Sequence, residues 1–305
     1  MANLDASQDR AIGALVGLAV GDALGTTVEF RARGSFKPVT DLMGGGTFML
    51  KPGEWTDDTS MALCLADSLN ATPDLDPRDL ADRFVRWWQM GENSVNGRCF
   101  DIGNATRNAL ARYVATGNAL AGSYDPRIAG NGSLMRLAPI AIRFHAVNTA
   151  CNRARIQSEV THAAPTCMDA CAWFAELLHG AIFGATKAEL LMPATLGGAP
   201  EIAAIAAGSW RNKTEAQIRS SGYVVDTLEA ALWCVDRSED FASAVLRAAN
   251  LGDDADTVAA VTGQLAGALW GLSGIPADWL RKLAWRDEIV ARATLLWQAG
   301  LTQDR

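Results

Sequence analysis

Two clusters of carboxylates, far apart in the chain, each stand directly in front of an apolar helical run, and this placement constrains the fold most. Thr56-Asp57-Asp58-Thr59 leads into Ser60-Met-Ala-Leu-Cys-Leu-Ala66, and Asp253-Asp254-Ala255-Asp256-Thr257 leads into the small, apolar run from Val258 to Gly271. Such runs read as buried helices. Adjacent anions at the head of a buried helix repel one another and lose hydration, while a helix N-terminus returns only about half an elementary charge. Capping alone accounts for one such run, since Asp and Thr are favoured there. Two runs of one design predict that folding joins them around a shared positive charge. Oxygen donors with little nitrogen or sulfur nearby select Mg2+, Mn2+ or Ca2+ over zinc. Thr56, Asp57, Asp58, Asp254, Asp256 and Thr257 would then form a cage of the kind that holds two cations about 3.5–4 Å apart.

The rest of the chain reads as helices joined by turns. Residues 8–23 form a helix in which Gly13, Gly17, Gly21 and Gly25 recur every fourth position, a flat stripe that lets another helix approach closely. Asp22 in that stretch is either a polar residue at a helix end or a partner of the metal ligands. Residues 26–55, with Gly44-Gly-Gly46 and Lys51-Pro-Gly53, are long for a structureless connection and read as a lid-like loop. Asp76-Pro77 opens a helix through Trp87 and Trp88. Residues 101–116 give another, closed by Gly117. Residues 131–147 are interrupted at Pro139, where a kink or two short helices are expected. Further helices are read at 166–186, 222–236, 239–250, 257–272, 277–284 and 286–299. No run alternates with a period of two, and no linker or repeat divides the chain. A single compact all-α domain over residues 1–305 is expected.

Composition narrows the function. A chain that is 49% hydrophobic and 20% charged is an ordinary globular protein. Its net charge of −7 argues against a nucleic-acid backbone as the main partner. The polar start of the chain lacks the pattern of a signal peptide, and no apolar stretch is long enough to span a bilayer, so a cytoplasmic monomer with no membrane contact is expected. The six cysteines are dispersed and read as small hydrophobes, the spacing of Cys167 and Cys171 notwithstanding. No P-loop, Gly-x-Gly-x-x-Gly after a strand, or EF-hand loop is present.

Gly130-Asn131-Gly132-Ser133 is a turn running into a helix at Leu134-Met135-Arg136, where backbone amides can cradle a phosphate. By composition alone it is simply a turn. His162 reads first as a hydrogen-bonded structural residue. Tyr223 reads as a core aromatic, and Asp101 as an N-cap.

Taken in order, Gly21-Asp-Ala-Leu-Gly-Thr-Thr-Val-Glu29, Thr56-Asp-Asp-Thr59, Gly130-Asn-Gly-Ser-Leu-Met-Arg136 and Gly252-Asp-Asp-Ala-Asp-Thr257 give the chain its family likeness. The chain resembles the ADP-ribosylglycohydrolases, and among them the bacterial branch typified by the hydrolase that reactivates ADP-ribosylated dinitrogenase reductase. The resemblance runs from about residue 10 to residue 283. It implies a binuclear Mg2+ site, with Mn2+ as a substitute, built on the six ligands above. It also implies an ADP-ribosylated protein or small molecule as partner, and hydrolysis of the bond from ADP-ribose to an arginine or other guanidino nitrogen. Glu29 matches the family's mobile glutamate. Gly130, Asn131, Gly132, Ser133 and Met135 match its diphosphate and ribose loop, and His162 a position near bound ADP-ribose. Tyr223 matches the aromatic that stacks on adenine, and Asp101 an acid that faces the guanidinium. Asn104 departs from that branch, which tends to carry an acid there. Alternative readings are an O-linked serine or small-metabolite substrate, and a non-catalytic ADP-ribose-binding or immunity protein.

Overall fold

The small residues of the first helix decide how the chain folds. The computed structural model describes residues 5–72 and 74–303. Among these the helices are, in order, α1 (Ala6–Gly25), α2 (Asp57–Ala71), α3 (Pro77–Met90), α4 (Asn104–Thr116), α5 (Ala138–Arg143), α6 (Val147–Glu159) and α7 (Pro165–Ile182). There follow α8 (Lys187–Leu190), α9 (Pro200–Ala206), α10 (Val224–Asp236), α11 (Phe241–Ala249), α12 (Ala255–Trp270), α13 (Ala277–Lys282) and α14 (Arg286–Gln303). No strand forms among the described residues; Gly45 with Leu50 and Gly130 with Tyr223 make isolated antiparallel bridges.

At the centre α1 and α12 run antiparallel in backbone contact. A Cβ added at Gly17 would lie 2.3 Å from the Gly263 carbonyl oxygen, and one at Gly263 would lie 2.1 Å from that of Gly17. Gly13 meets Gly267 in the same way, Gly21 meets Ala259, and Gly25 meets Ala255. Two small-residue stripes, each of period four, therefore mesh. The antiparallel sense puts the C-terminus of α1, and Glu29 beyond it, at the acidic head of α12. Around this pair α1 packs on α2, α5, α7, α11 and α14, and α12 on α7, α10 and α11. The buried core is contiguous across these helices.

The helix ends follow local chemistry. In α3, the Asp76 carboxylate accepts the Arg78 amide, Pro77 occupies the first turn, and Gly91 closes the helix with φ 74°. Pro139 does not kink a helix spanning 131–147: residues 132–136 are turns, and Pro139 sits in the first turn of α5. A proline lacks the N–H that the first turn leaves unpaired anyway, so it starts a helix more readily than it bends one. Helix α4 begins at Asn104 with Gly103 at its cap, so Asp101 is no N-cap. Three helices, α6, α8 and α9, escaped the sequence reading. The polar, arginine-rich sequence of α6 gives little apolar periodicity, and α8 and α9 are too short to show one.

The 26–55 segment has no helix and is fixed to the body along its length. The Arg33 guanidinium donates to the carbonyls of Leu251 (3.0 Å), Ile218 (2.7 Å) and Glu215. Asn250 holds the Val39 backbone on both sides, donating to its carbonyl at 3.0 Å and accepting its amide at 2.8 Å. Near the segment's end, the Ala284 amide donates to the Gly53 carbonyl at 2.9 Å.

Candidate active site

Folding joins the two acidic helix heads. The Thr56 hydroxyl lies 3.3 Å from Asp256 Oδ2 and 3.4 Å from Asp58 Oδ2, and the Thr257 hydroxyl lies 3.4 Å from Asp58 Oδ2. Neither head is explained by capping, because neither Thr56 nor Asp254 makes a side-chain cap bond to its helix. Two amides at the head of α2, those of Thr56 and Thr59, are taken by Asp22 instead. Its Oδ1 accepts the Thr56 amide and hydroxyl at 2.9 and 2.8 Å, and its Oδ2 accepts the Thr59 amide and hydroxyl at 3.0 and 2.6 Å. Asp22 is therefore the partner that frees Asp57 and Asp58 to point elsewhere. The sequence signal for it was its place in the glycine stripe, one residue after Gly21.

Glu29, Asp101 and Asp256 converge from three separate segments, each offering an oxygen that lies within 4.8 Å of the other two. Glu29 is only 3% exposed, so it is buried at the site although it lies in a loop. Glu29 Oε2, Asp58 Oδ1 and Asp256 Oδ1 are buried without a hydrogen-bond partner among the described residues. No lysine or arginine there pairs with any of these acids. Burial and mutual repulsion push the group up together. Burial, then the charges of Asp256, Asp101 and Asp57, raise Glu29 to about 12. Burial with the charges of Asp22 and Asp254 raises Asp101 to about 8. Asp57, Asp58 and Asp256 lie well above the ordinary carboxylate value, burial again leading. Such a cluster lacks a positive charge. Orphaned hard oxygens with no cation among them fit a divalent ion of the Mg2+ or Mn2+ type.

A cleft of about 480 Å³ opens over this cluster, a size suited to a small ligand. Glu29, Asp57, Asp101, Asp254, Asp256 and Thr257 line one part of it; Gly130, Asn131, Gly132, Met135 and His162 line another. Thr56 and Asp58 lie beneath it, fully buried. Asn131 ties the two parts together, its amide nitrogen donating to Asp254 Oδ2 at 2.6 Å and to Thr227 Oγ1 at 2.9 Å. Arg107 is the one positively charged side chain among the described lining residues. A larger cleft of about 660 Å³ beside α6 and α7 holds no comparable cluster, its Asp169 being paired to Arg155.

The glycine turn is built from below. Arg136, fully buried, donates to the Gly132 carbonyl (3.2 Å), to Gln157 and to the Thr161 hydroxyl (2.9 Å), and lies over the Phe84 ring at 4.4 Å. Thr161 in turn meets His162 Nδ1 at 2.8 Å. A Cβ on Gly132 would strike His162 Cε1 at 2.7 Å, so the turn needs glycine there. Burial and the Arg136 charge press His162 down to about 3, leaving it neutral at physiological pH. The amides of Gly130 and Asn131 are already bonded, to Ile128 and Gly222, whereas among the described residues those of Gly132 and Ser133 find no acceptor. The Ser133 side chain turns into the core, where its hydroxyl meets Ser158 at 2.8 Å and Cys171 at 3.4 Å. Cys167 likewise reaches the Gly130 carbonyl at 3.3 Å, so the cysteine pair supports the turn. Tyr223, at the cap of α10, is 36% exposed and lies beside the lining residue Gly222. Phe30 and Phe48 line the cleft too, and sequence reasoning missed both.

A sequence profile of the ADP-ribosylglycohydrolase family matches residues 3–305. The chain belongs to that family. It is 55% identical over 282 residues to the ADP-ribosylarginine hydrolase Tri1 of Pseudomonas putida, covering 92% of this chain and 76% of that one. To the ADP-ribosyl-[dinitrogen reductase] glycohydrolase of Rhodospirillum rubrum it is 36% identical, covering 96% of this chain and 97% of that one. A solved structure described as an ADP-ribosylglycohydrolase-related protein complex superposes with a TM-score of 0.87 at 42% identity, over 97% of this chain and 100% of that chain. This ADP-ribosylglycohydrolase thus shares more identity with the arginine hydrolase than with the dinitrogen-reductase enzyme whose branch its motifs suggested. Among the described residues no helix is long and apolar enough to cross a membrane.

Proposed function

We propose that this ADP-ribosylglycohydrolase is a Mg2+-dependent enzyme that cleaves the N-glycosidic bond between ADP-ribose and an arginine guanidino nitrogen, reversing ADP-ribosylation. The observation that carries the reading is the convergence of Glu29, Asp101 and Asp256 beside buried, unpartnered oxygens of Asp58 and Asp256. The relatives named ADP-ribosylarginine hydrolase, at 55% and 48% identity, support the acceptor.

Thr56, Asp57, Asp58, Asp254, Asp256 and Thr257 would hold the metal, Mg2+ or in its place Mn2+, which when bound supplies Lewis-acid stabilisation and a template for the ribose hydroxyls. The chain's own groups do the rest. The free amides of Gly132 and Ser133 suit the diphosphate. Met135 and His162 line the sugar's side of the cleft, and Tyr223 at its edge suits the adenine. Asp101 faces the guanidine. Glu29, buried with one oxygen unpartnered, orients the attacking water or delivers a proton to the leaving nitrogen. The water oxygen bonds to the anomeric carbon, the C–N bond breaks, and the guanidine leaves with the proton, a division of labour akin to glycoside hydrolysis.

The test is release of ADP-ribose from ADP-ribosylated arginine by the chelated protein before and after Mg2+ is restored. Release that needs the metal is the expected result. Activity indifferent to chelation overturns the metal, and a preference for serine-linked substrate in a parallel assay overturns the acceptor.

A further inference from the structure

The phenylalanines at the cleft have no role in the reading above. Phe30 directly follows Glu29, and Phe100 directly precedes Asp101. The Phe30 ring meets Phe48 edge-on with centroids 6.4 Å apart, and Phe48 meets Phe100 at 5.1 Å. Phe30 and Phe48 line the cleft and Phe100 contacts Phe48, so a row of rings adjoins the carboxylate cluster. Phe30 is 63% exposed, although a ring of that size gains most by burial. Its backbone is costly as well: Phe30 and Asp101 both have φ 62°, the left-handed region that residues with a Cβ seldom enter.

The fold keeps Phe30 in this position. The Phe30 amide donates to the Asp253 carbonyl at 2.7 Å, the Asp253 amide donates to the Arg31 carbonyl at 2.8 Å, and Arg33 anchors the segment further along. An exposed ring on strained, firmly held backbone is poised for a ligand. Beside it the carboxyl oxygens of Glu29 and Asp101 offer hydrogen-bond acceptors to that ligand's N–H groups, and a positive charge there would relieve their mutual repulsion. A planar cation suits both surfaces at once, its face on a ring and its N–H edge toward the acids. Adenine would stack as well but brings no positive charge for those acids.

We propose that Phe30 and Phe48 form the wall of the acceptor subsite and stack on the guanidinium of the modified arginine, an assignment that rests on the arginine reading above. Discrimination between arginine and other acceptors then comes from the rings together with Asp101.

The test uses the Mg2+-loaded full chain and its Phe30→Leu, Phe48→Leu and Phe48→Trp variants. KM for ADP-ribosylated arginine should rise roughly tenfold in the Leu variants and stay equal or fall in Phe48→Trp, as expected for a cation on an aromatic face. The dissociation constant for free ADP-ribose, which lacks the acceptor, should not move. Weakened ADP-ribose binding in the Leu variants would place the rings on the nucleotide and overturn the assignment, as would an unchanged KM or an equal penalty on serine-linked substrate. Should the Leu variants fail to fold, Phe48→Trp against wild type decides, and a clear rise in KM there overturns it. Wild type that releases nothing from the arginine-linked substrate would instead sink the underlying function.

Discussion

At the head of α2, a carboxylate from another helix, Asp22, takes both amides and both hydroxyls of Thr56 and Thr59. At the head of α12 no carboxylate plays that part among the described residues: Asp254 is held by Asn131 and Thr257, and Asp256 keeps a buried oxygen unpartnered. The two heads share a sequence pattern and a place before a buried helix. One has had its helix-end donors satisfied from outside, so its acids are free to face the site. The other extends its acids into the site held only by neutral side chains, Asn131, Thr257 and Thr56. A motif therefore sets which groups are present, and the neighbours that reach it set what those groups do.

The contrast predicts unequal results from removing one carboxylate at each place. Asp256→Ala should lower kcat/KM by about 10³-fold or more, equivalent to roughly 4 kcal/mol of transition-state stabilisation. The same change should leave the chelated protein as stable as wild type or more so, since it removes a buried acid that desolvation and its acidic neighbours disfavour. Steady-state kinetics together with urea unfolding checks both halves. Near-wild-type activity would break the comparison at the α12 head.

Asp22→Ala should act on stability first. It strands the amides of Thr56 and Thr59 and the Thr59 hydroxyl in a buried place, each costing about 1 kcal/mol or more, and leaves the Thr56 hydroxyl only the longer contacts to Asp58 and Asp256, so a loss of about 3–5 kcal/mol is expected in urea unfolding. A loss below about 1 kcal/mol would show that the α2 head does not depend on its external cap.

The smallest effect is one of pH. Asp101 is raised to about 8, and Asp22 and Asp254 to about 6, in each case chiefly by burial. Groups raised in the folded state bind protons more tightly there than when unfolded. Their contribution is complete below about pH 4 and is lost as the pH climbs through these values. The melting temperature of the chelated protein should therefore fall between about pH 5 and pH 8, and Mg2+ should flatten the decline. A melting temperature that rises over that window in chelator contradicts the assignment.

The sequence by itself determined the helical class, the two acid-headed helices and the hard-oxygen chemistry, because periodicity and residue type are local properties. It also carried the α1 stripe and, unnoticed, its complement at Ala255, Ala259, Gly263 and Gly267. Only the tertiary structure decided that these stripes mesh antiparallel, which sets the end of α1 against the head of α12. The same packing set Asp22 under α2, turned the Ser133 side chain inward, and brought Glu29 and Asp101 beside Asp256. Glu29 and Asp101 lie in irregular segments with no period to read. Their positions follow from backbone contacts with distant parts of the chain, such as that of Phe30 with Asp253, and no stretch of sequence contains both partners of such a bond.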